Sequence, residues 1–198
     1  MREAIFLDRD GVINAMRYDP DNGLVDSPMR PEDFHLLPGV ASAVRRINAR
    51  GWLAIVVSNQ PGVAKGKLSM ERLVAITARM ERELTAAGAR LDGIYYCTHH
   101  PEAPDPALRV CDCRKPQAGL LWRAAIDHGV DVRRSVMIGD GFTDVQAGRR
   151  AGCRTVWIGR RRCDVCRAME AEGVQPDLEA ADLEEAVRLV EAAHDAQA

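Results

Sequence analysis

Two aspartates one residue apart, Asp8 and Asp10, stand where the apolar run Ala4-Ile-Phe-Leu7 meets Gly11. Paired carboxylates at the end of a buried strand suit a hard divalent cation or general acid–base work. Three more groups have the same setting. Ser58-Asn59-Gln60 follows the apolar run Trp52 to Val57, and Gly139-Asp140-Gly141, with Asp144 four positions beyond Asp140, follows Val136-Met-Ile138. Arg114-Lys115-Pro116 closes the loop after Gly93-Ile-Tyr-Tyr96. Taken singly, each is an ordinary turn or a solvated basic pair. Brought to one sheet edge, three carboxylates, a hydroxyl and a lysine make a site for a phosphate and a divalent cation such as Mg²⁺, because lysine offers a compact charge to the phosphate dianion.

Softer ligands crowd the stretch before Lys115. Cys97-x-His99 and Cys111-x-Cys113 bring three thiols and an imidazole into 17 residues, and His100 is an alternative to His99 because spacing cannot separate adjacent residues. That set suits a closed tetrahedral Zn²⁺ site, and four protein ligands leave no open position, so the expected zinc is structural. Cys113 lies two residues before Lys115, so metal held there would fix the backbone that delivers the lysine. Cys163 and Cys166 follow the basic turn Arg160-Arg161-Arg162. A lone C-x-x-C lacks a second half-site, so reduced structural thiols beside a solvated turn are expected. Cys153 reads as a core thiol, and His35, His128 and His194 as surface or capping residues.

Positioning these groups requires strands alternating with helices. Val40, Val44 and Ile47 fall on one helical face before Gly51, and Ser69 caps a helix whose stripe is Leu73, Ile76, Met80 and Leu84. Residues 118–128 and 143–151 suit helices, Thr155 to Ile158 a strand, and Asp182-Leu-Glu-Glu185 has capping-box spacing ahead of Val187 and Val190. Residues 15–38, with Pro20, Gly23, Pro28, Pro31 and Pro38, read as one long loop. The alternation predicts an α/β fold with a parallel sheet covered on both faces, whose active crevice lies beyond the carboxyl ends of the strands.

Composition removes other classes. The chain has 198 residues, which fits a single domain over 1–198, and 46% hydrophobic with 28% charged residues fits a globular protein. Lys and Arg number 27 against 29 Asp and Glu, and only nine residues are aromatic, so neither a basic field nor stacking platforms point to nucleic acid. Asp8, Arg9 and Asp10 interrupt any secretory run, and no apolar stretch is long enough for a membrane span, so a cytoplasmic protein with no membrane partner is expected.

Phe6-Leu-Asp-Arg-Asp-Gly-Val-Ile-Asn14, Val57-Ser-Asn-Gln60, Arg114-Lys-Pro116 and Met137-Ile-Gly-Asp-Gly-Phe-Thr-Asp144 resemble the four motifs of the haloacid dehalogenase (HAD) superfamily of phosphohydrolases, across nearly the whole chain. The resemblance implies a Rossmann-like domain with Asp8 as nucleophile and Asp10 as general acid/base. It also implies Mg²⁺ held by Asp8, the Asp10 carbonyl and Asp140, with Ser58 and Lys115 on the phosphoryl oxygens. Cys97-Thr-His-His-Pro101 and Cys111-Asp-Cys-Arg-Lys-Pro116 are similar to the zinc loop, about 97–113, of capless heptose bisphosphate phosphatases and histidinol-phosphate phosphatases. Their zinc ligands map onto Cys97, His99, Cys111 and Cys113. A phosphosugar substrate is then expected, first a heptose 1,7-bisphosphate and next histidinol phosphate, with Arg114 on a distal phosphate and Asn59 and Gln60 near sugar hydroxyls. A polynucleotide-end phosphatase and an inactive binding module are further alternatives. Gly141 stands where many such relatives carry lysine. A monomer or weak homo-oligomer is expected.

Overall fold

The computed structural model describes residues 1–19 and 23–196. In chain order its elements are β1 (Ala4–Leu7), β2 (Arg17–Asp19), β3 (Leu24–Asp26), α1 (Val40–Ala49), β4 (Leu53–Asn59), α2 (Pro61–Ala64), α3 (Met70–Ala86) and β5 (Gly93–Cys97). They continue with α4 (Gly119–His128), β6 (Val136–Gly139), α5 (Phe142–Ala151), β7 (Arg154–Ile158), α6 (Cys163–Glu172), β8 (Leu178–Ala180) and α7 (Leu183–Asp195). Six strands form one parallel sheet in the order β5-β4-β1-β6-β7-β8.

Strand residues alternate between two cores. Ile5, Leu7, Val56 and Ile138 pack with Val44, Leu73 and Val187 of α1, α3 and α7, while Phe6, Ile55, Val57 and Met137 pack with Leu121, Ala124 and Ala147 of α4 and α5. Both faces are covered, which is why the strands read as unbroken apolar runs. Helix starts follow the expected chemistry: Arg72 N–H donates to Ser69 Oγ at 3.3 Å, and Glu185 N–H to Asp182 Oδ1 at 2.9 Å. The Glu185 carboxylate returns to Ala181 N–H, one residue earlier than a capping box would place it.

Crossovers run outward in opposite directions from β1 and β6, so the strand order switches between them. Side chains just beyond these two carboxyl ends meet over a crevice. Asp8 N–H donates to Ile138 O at 3.0 Å, which fixes the end of β1 against β6.

Four elements depart from the sequence expectation, β2, β3, β8 and α6. Residues 15–38 are not one loop, since β2 and β3 pair as an antiparallel hairpin, Arg17 opposite Asp26; Pro20 lies outside the described residues. Strands of three residues leave no period to read. For the same reason β8 was not expected. Helix α6 was also not expected, although Val165 and Met169, one helical turn apart, pack with Trp157 and Val174, and Gly173 ends the helix at φ +64°. No helix among the described residues is long and apolar enough to cross a membrane.

Candidate active site

The four expected groups meet at the carboxyl ends of β1, β4 and β6, although Ser58 and Asn59 do not follow β4 but are its last two residues. Asp8, Asp140 and Asp144 bring carboxylate oxygens within 4.8 Å of one another. Lys115 enters from the loop after β5, fully buried, with Nζ 3.0 Å from Asp8 Oδ1 and 2.5 Å from Asp144 Oδ1, and it donates to Val57 O at 2.9 Å. Asp8 Oδ1 also accepts from Arg9 N–H at 2.7 Å. Burial pulls the Lys115 ammonium down, but Asp144 and Asp8 outweigh it and hold its pKa above the ordinary lysine value. Burial, then Asp8, then Asp144 push the Asp140 carboxyl up to about 7, and burial pushes Asp144 up to about 6 against the pull of Lys115.

Three carboxylates facing one ammonium are a donor set that lacks positive charge, and hard oxygens at this separation suit a divalent cation. The backbone is shaped to the same end. Gly11 has φ +84°, and a Cβ there would lie 2.0 Å from Asp140 Oδ2, so only glycine lets the turn after β1 approach the β6 carboxylate this closely. Asp144 Oδ2 accepts from Gly141 N–H at 2.9 Å and so fixes the turn that carries Asp140.

Around this cluster lies a second layer. Asp10 is bound by Arg9 through Nε (3.1 Å) and a terminal guanidinium nitrogen (3.0 Å to each oxygen), by Asn14 Nδ2 (3.0 Å) and by Gln60 Nε2 (2.7 Å). Arg9 is wholly buried, donates to Gln60 Oε1 at 3.0 Å and lies 5.4 Å from the centre of the Tyr96 ring. Ser58, buried, accepts from Gln60 Nε2 at 3.2 Å. Asn59 clamps Lys115 from both sides, accepting from its N–H and donating to its carbonyl, each at 3.0 Å. The amides of Asn59 and Gln60, expected near substrate hydroxyls, are thus spent on the protein itself.

The Cys/His loop closes on itself beside this site. Cys97 Sγ is 3.7 Å from both Cys111 Sγ and His99 Nδ1, and Cys113 Sγ lies 3.1 Å from Cys97 Sγ and 3.5 Å from His99 Nδ1. Tetrahedral zinc with bonds of about 2.0–2.3 Å requires ligand separations of about 3.3–3.8 Å, close to these. His100 does not join the cluster; its Nδ1 accepts from Glu102 N–H at 3.1 Å. Burial raises the Cys97 and Cys113 thiols, whereas at Cys111 the Arg114 N–H, 3.3 Å from Sγ, helps to overcome burial and lowers the pKa. Arg114 leans on the same loop and donates to His99 O at 3.3 Å.

Sequence reading left three residues out of the site. Asp144 was visible as a motif residue but not as a partner of Lys115, and Arg9 was visible only as the residue between two aspartates. Arg160 lines a cavity of about 450 Å³ that also includes Asp140 and Gly11. Its neighbours are occupied: Arg161 donates to Gln175 and pairs with Glu179, and Arg162 pairs with Asp164. Cys163 is exposed and Cys166 half-buried on the first turn of α6. Cys153 is buried, which pushes its thiol up to about 12. His128 and His194 stand in the last turns of α4 and α7, whose C-caps are Gly129 and Ala196, and His35 is exposed.

Comparison with known proteins places this arrangement. An HAD-hydrolase-like family model matches residues 112–186. A D-glycero-D-manno-heptose-1,7-bisphosphate 7-phosphatase of Thermosynechococcus vestitus is 39% identical over 198 residues, covering 96% of this chain and 95% of the relative. The chain belongs to the heptose 1,7-bisphosphate 7-phosphatase family. Another member of the family, the D-glycero-beta-D-manno enzyme of Haemophilus ducreyi, is 37% identical over 87% of this chain and 88% of its own. Among solved structures, the D,D-heptose 1,7-bisphosphate phosphatase of B. bronchiseptica, complexed with magnesium and phosphate, superposes with TM-score 0.77 at 29% identity, over 96% of this chain and 99% of that one. HAD phosphatases use a divalent metal, and Asp8, Asp140 and Asp144 form a carboxylate group that could hold one.

Proposed function

We propose that this chain, acting as one domain over residues 1–198, removes the 7-phosphate of D-glycero-D-manno-heptose 1,7-bisphosphate. The observation that carries the reading is the convergence of Asp8, Lys115 and Asp140 at the switch point of the sheet, in a chain 37–39% identical to phosphatases of that substrate over nearly its full length. Mg²⁺, held by Asp8, Asp140 and the Asp10 carbonyl, would neutralise phosphoryl charge that otherwise repels a carboxylate nucleophile.

The chain's own residues supply the rest. Asp8 attacks phosphorus, so a bond forms from its carboxylate oxygen to phosphorus as the bond to the sugar oxygen breaks. Lys115 and Ser58 steady the phosphoryl oxygens, with Asn59 fixing the lysine's backbone. Asp10 gives a proton to the leaving sugar oxygen, then takes one from the water that cleaves the aspartyl phosphate and releases inorganic phosphate; such help is worth about 10²–10⁴-fold. Every oxygen of Asp10 is already hydrogen-bonded, so it must exchange part of its Arg9, Asn14 or Gln60 contacts for the leaving oxygen. Arg114 meets the second phosphate, helped by Arg160, which lines the cavity beside Asp140 and takes the role left open at Gly141. Cys97, His99, Cys111 and Cys113 hold a structural Zn²⁺ that keeps the Arg114-Lys115 segment in place.

With no bulk positive charge, the partner is a small phosphosugar in the cytoplasm, not nucleic acid or membrane, and the protein works as a monomer or weak homo-oligomer. The test is a phosphate-release panel with both heptose bisphosphate anomers, fructose 1,6-bisphosphate and histidinol phosphate. A heptose bisphosphate should give the highest kcat/KM; an equal or higher value for histidinol phosphate would sink the substrate assignment while leaving the chemistry intact.

A further inference from the structure

At the sheet edge opposite Asp8, the amino ends of β1, β4, β6 and β7 and the last turns of α7 enclose a cavity of about 340 Å³. Its wall is apolar, built by Ile5, Trp52, Val136 and Val190. Its rim is basic. Three arginines, Arg133, Arg134 and Arg154, face one carboxylate, Glu3, which is already paired with Arg134 and lies 3.3 Å from His194 Nε2. Arg133 reaches Asp131 at 3.7 Å from an exposed position, and Arg154, half-buried, has no carboxylate partner among the described residues.

Partly buried guanidinium groups usually find an acidic partner. Here the missing partner coincides with a cavity at the lower end of the 300–1,000 Å³ typical of small-ligand sites. Trp52 is a rigid part of the wall, with His194 edge-on to its ring at 5.2 Å and the Arg50 guanidinium 5.1 Å from its centre. None of these residues belongs to the phosphate-side cluster, and the strands separate the two sites.

We propose that this cavity binds a small amphipathic anion, its flat apolar body against Ile5, Val136 and Val190 and its carboxylate or phosphate between Arg154 and Arg133. A planar guanidinium fork accepts either head group through two parallel N–H bonds, and the apolar wall removes the body from water.

The full chain is titrated calorimetrically, without added Mg²⁺, with 1-naphthoate, adenosine 5′-monophosphate and inorganic phosphate, and the titrations are repeated on Arg154→Glu and Val190→Phe. One amphipathic probe or both should bind one per chain, and which one does identifies the head group. Arg154→Glu should weaken that binding about tenfold or more, since a charge-assisted contact becomes a repulsion. Val190→Phe, which fills the wall, should do the same, while phosphomonoester hydrolysis by both variants stays at the level of the unchanged chain and reports an intact fold. The proposal is overturned if neither amphipathic probe binds, if both variants bind as tightly as the unchanged chain, or if inorganic phosphate binds this site as tightly as the amphipathic probes.

Discussion

Two clusters of metal-competent side chains lie on either side of the segment Cys113-Arg114-Lys115, and they are built differently. Beyond β1 and β6 the donors are carboxylate oxygens carried by two strand ends and the first turn of α5, and their charge is only partly offset by Lys115. In the loop after β5 the donors are thiols and an imidazole, which can stay neutral until a metal takes their protons. The first cluster is therefore held by the sheet and strained by charge, while the second is free of charge strain but is anchored to the sheet only through Cys97 at the end of β5. A rigid frame tolerates electrostatic imbalance, and that imbalance is what binds a cation and a phosphate; a loop has to gain its rigidity from the metal itself.

The sharpest way to break this comparison is Asp8→Asn. The change removes the nucleophile and one charge from the strained cluster but keeps the shape, so turnover should fall by about 10⁴-fold or more while the unfolding midpoint stays the same or rises. Phosphate release and thermal unfolding measured on one preparation check both halves. Residual activity close to the starting value in a folded variant would remove Asp8 from the chemistry.

Lys115→Met comes next. It should cost about 10²–10³-fold in kcat, the usual loss of a donor to transition-state charge. It also leaves Asp144, 1% exposed, facing Asp8 and Asp140 without an ammonium, so the fold should lose about 3–5 kcal/mol in urea unfolding at low divalent cation. Adding Asp144→Asn should recover most of that stability and none of the activity, which separates the charge role from the catalytic one.

The thiol cluster should give a smaller effect, reached indirectly. Cys113→Ser, or removal of metal by a chelator, should lower bound zinc below one per chain and reduce kcat by about 10–100-fold through the displaced Lys115 backbone. Thermal stability of the sheet should change little, because Cys97 is the only one of these four residues in a strand. Full activity in protein shown by metal analysis to hold no zinc would cut the connection between the clusters.

The sequence exposed these clusters unequally. Strand ends are legible because the buried strands are built on apolar runs that stop at polar residues, which puts Asp8, Ser58 and Asp140 at one edge of the sheet. The second layer is not. Nothing in the spacing says that Arg9, flanked by two aspartates, turns inward to bind Asp10 and Gln60, since a one-residue step in a turn gives no fixed side-chain direction. Asn59 illustrates the same limit: its type predicts hydrogen bonding, but only the fold decides that the partner is the Lys115 backbone and not a ligand. The choice between His99 and His100 likewise needed the loop to close. Short elements such as β2, β3 and β8 escaped because three residues carry too little periodicity, and α6 escaped because its buried side is little more than Val165 and Met169.

Arg114 carries the smallest expected effect and bears most directly on how the two clusters cooperate. Its backbone N–H touches Cys111 Sγ and its side chain makes one long contact, 3.3 Å to His99 O, so Arg114→Ala removes little that holds the loop together. A guanidinium with so few internal bonds is available to a phosphate arriving from outside. The loss should then fall on binding: KM for a heptose 1,7-bisphosphate should rise about tenfold, the worth of one charge-assisted contact, with kcat nearly unchanged, while KM for a sugar monophosphate with no second phosphate stays put. Equal impairment on both substrates would mean that Arg114 serves the zinc loop and reaches the reaction only through Lys115, which would make the two clusters a single unit rather than a catalytic centre with a separate support.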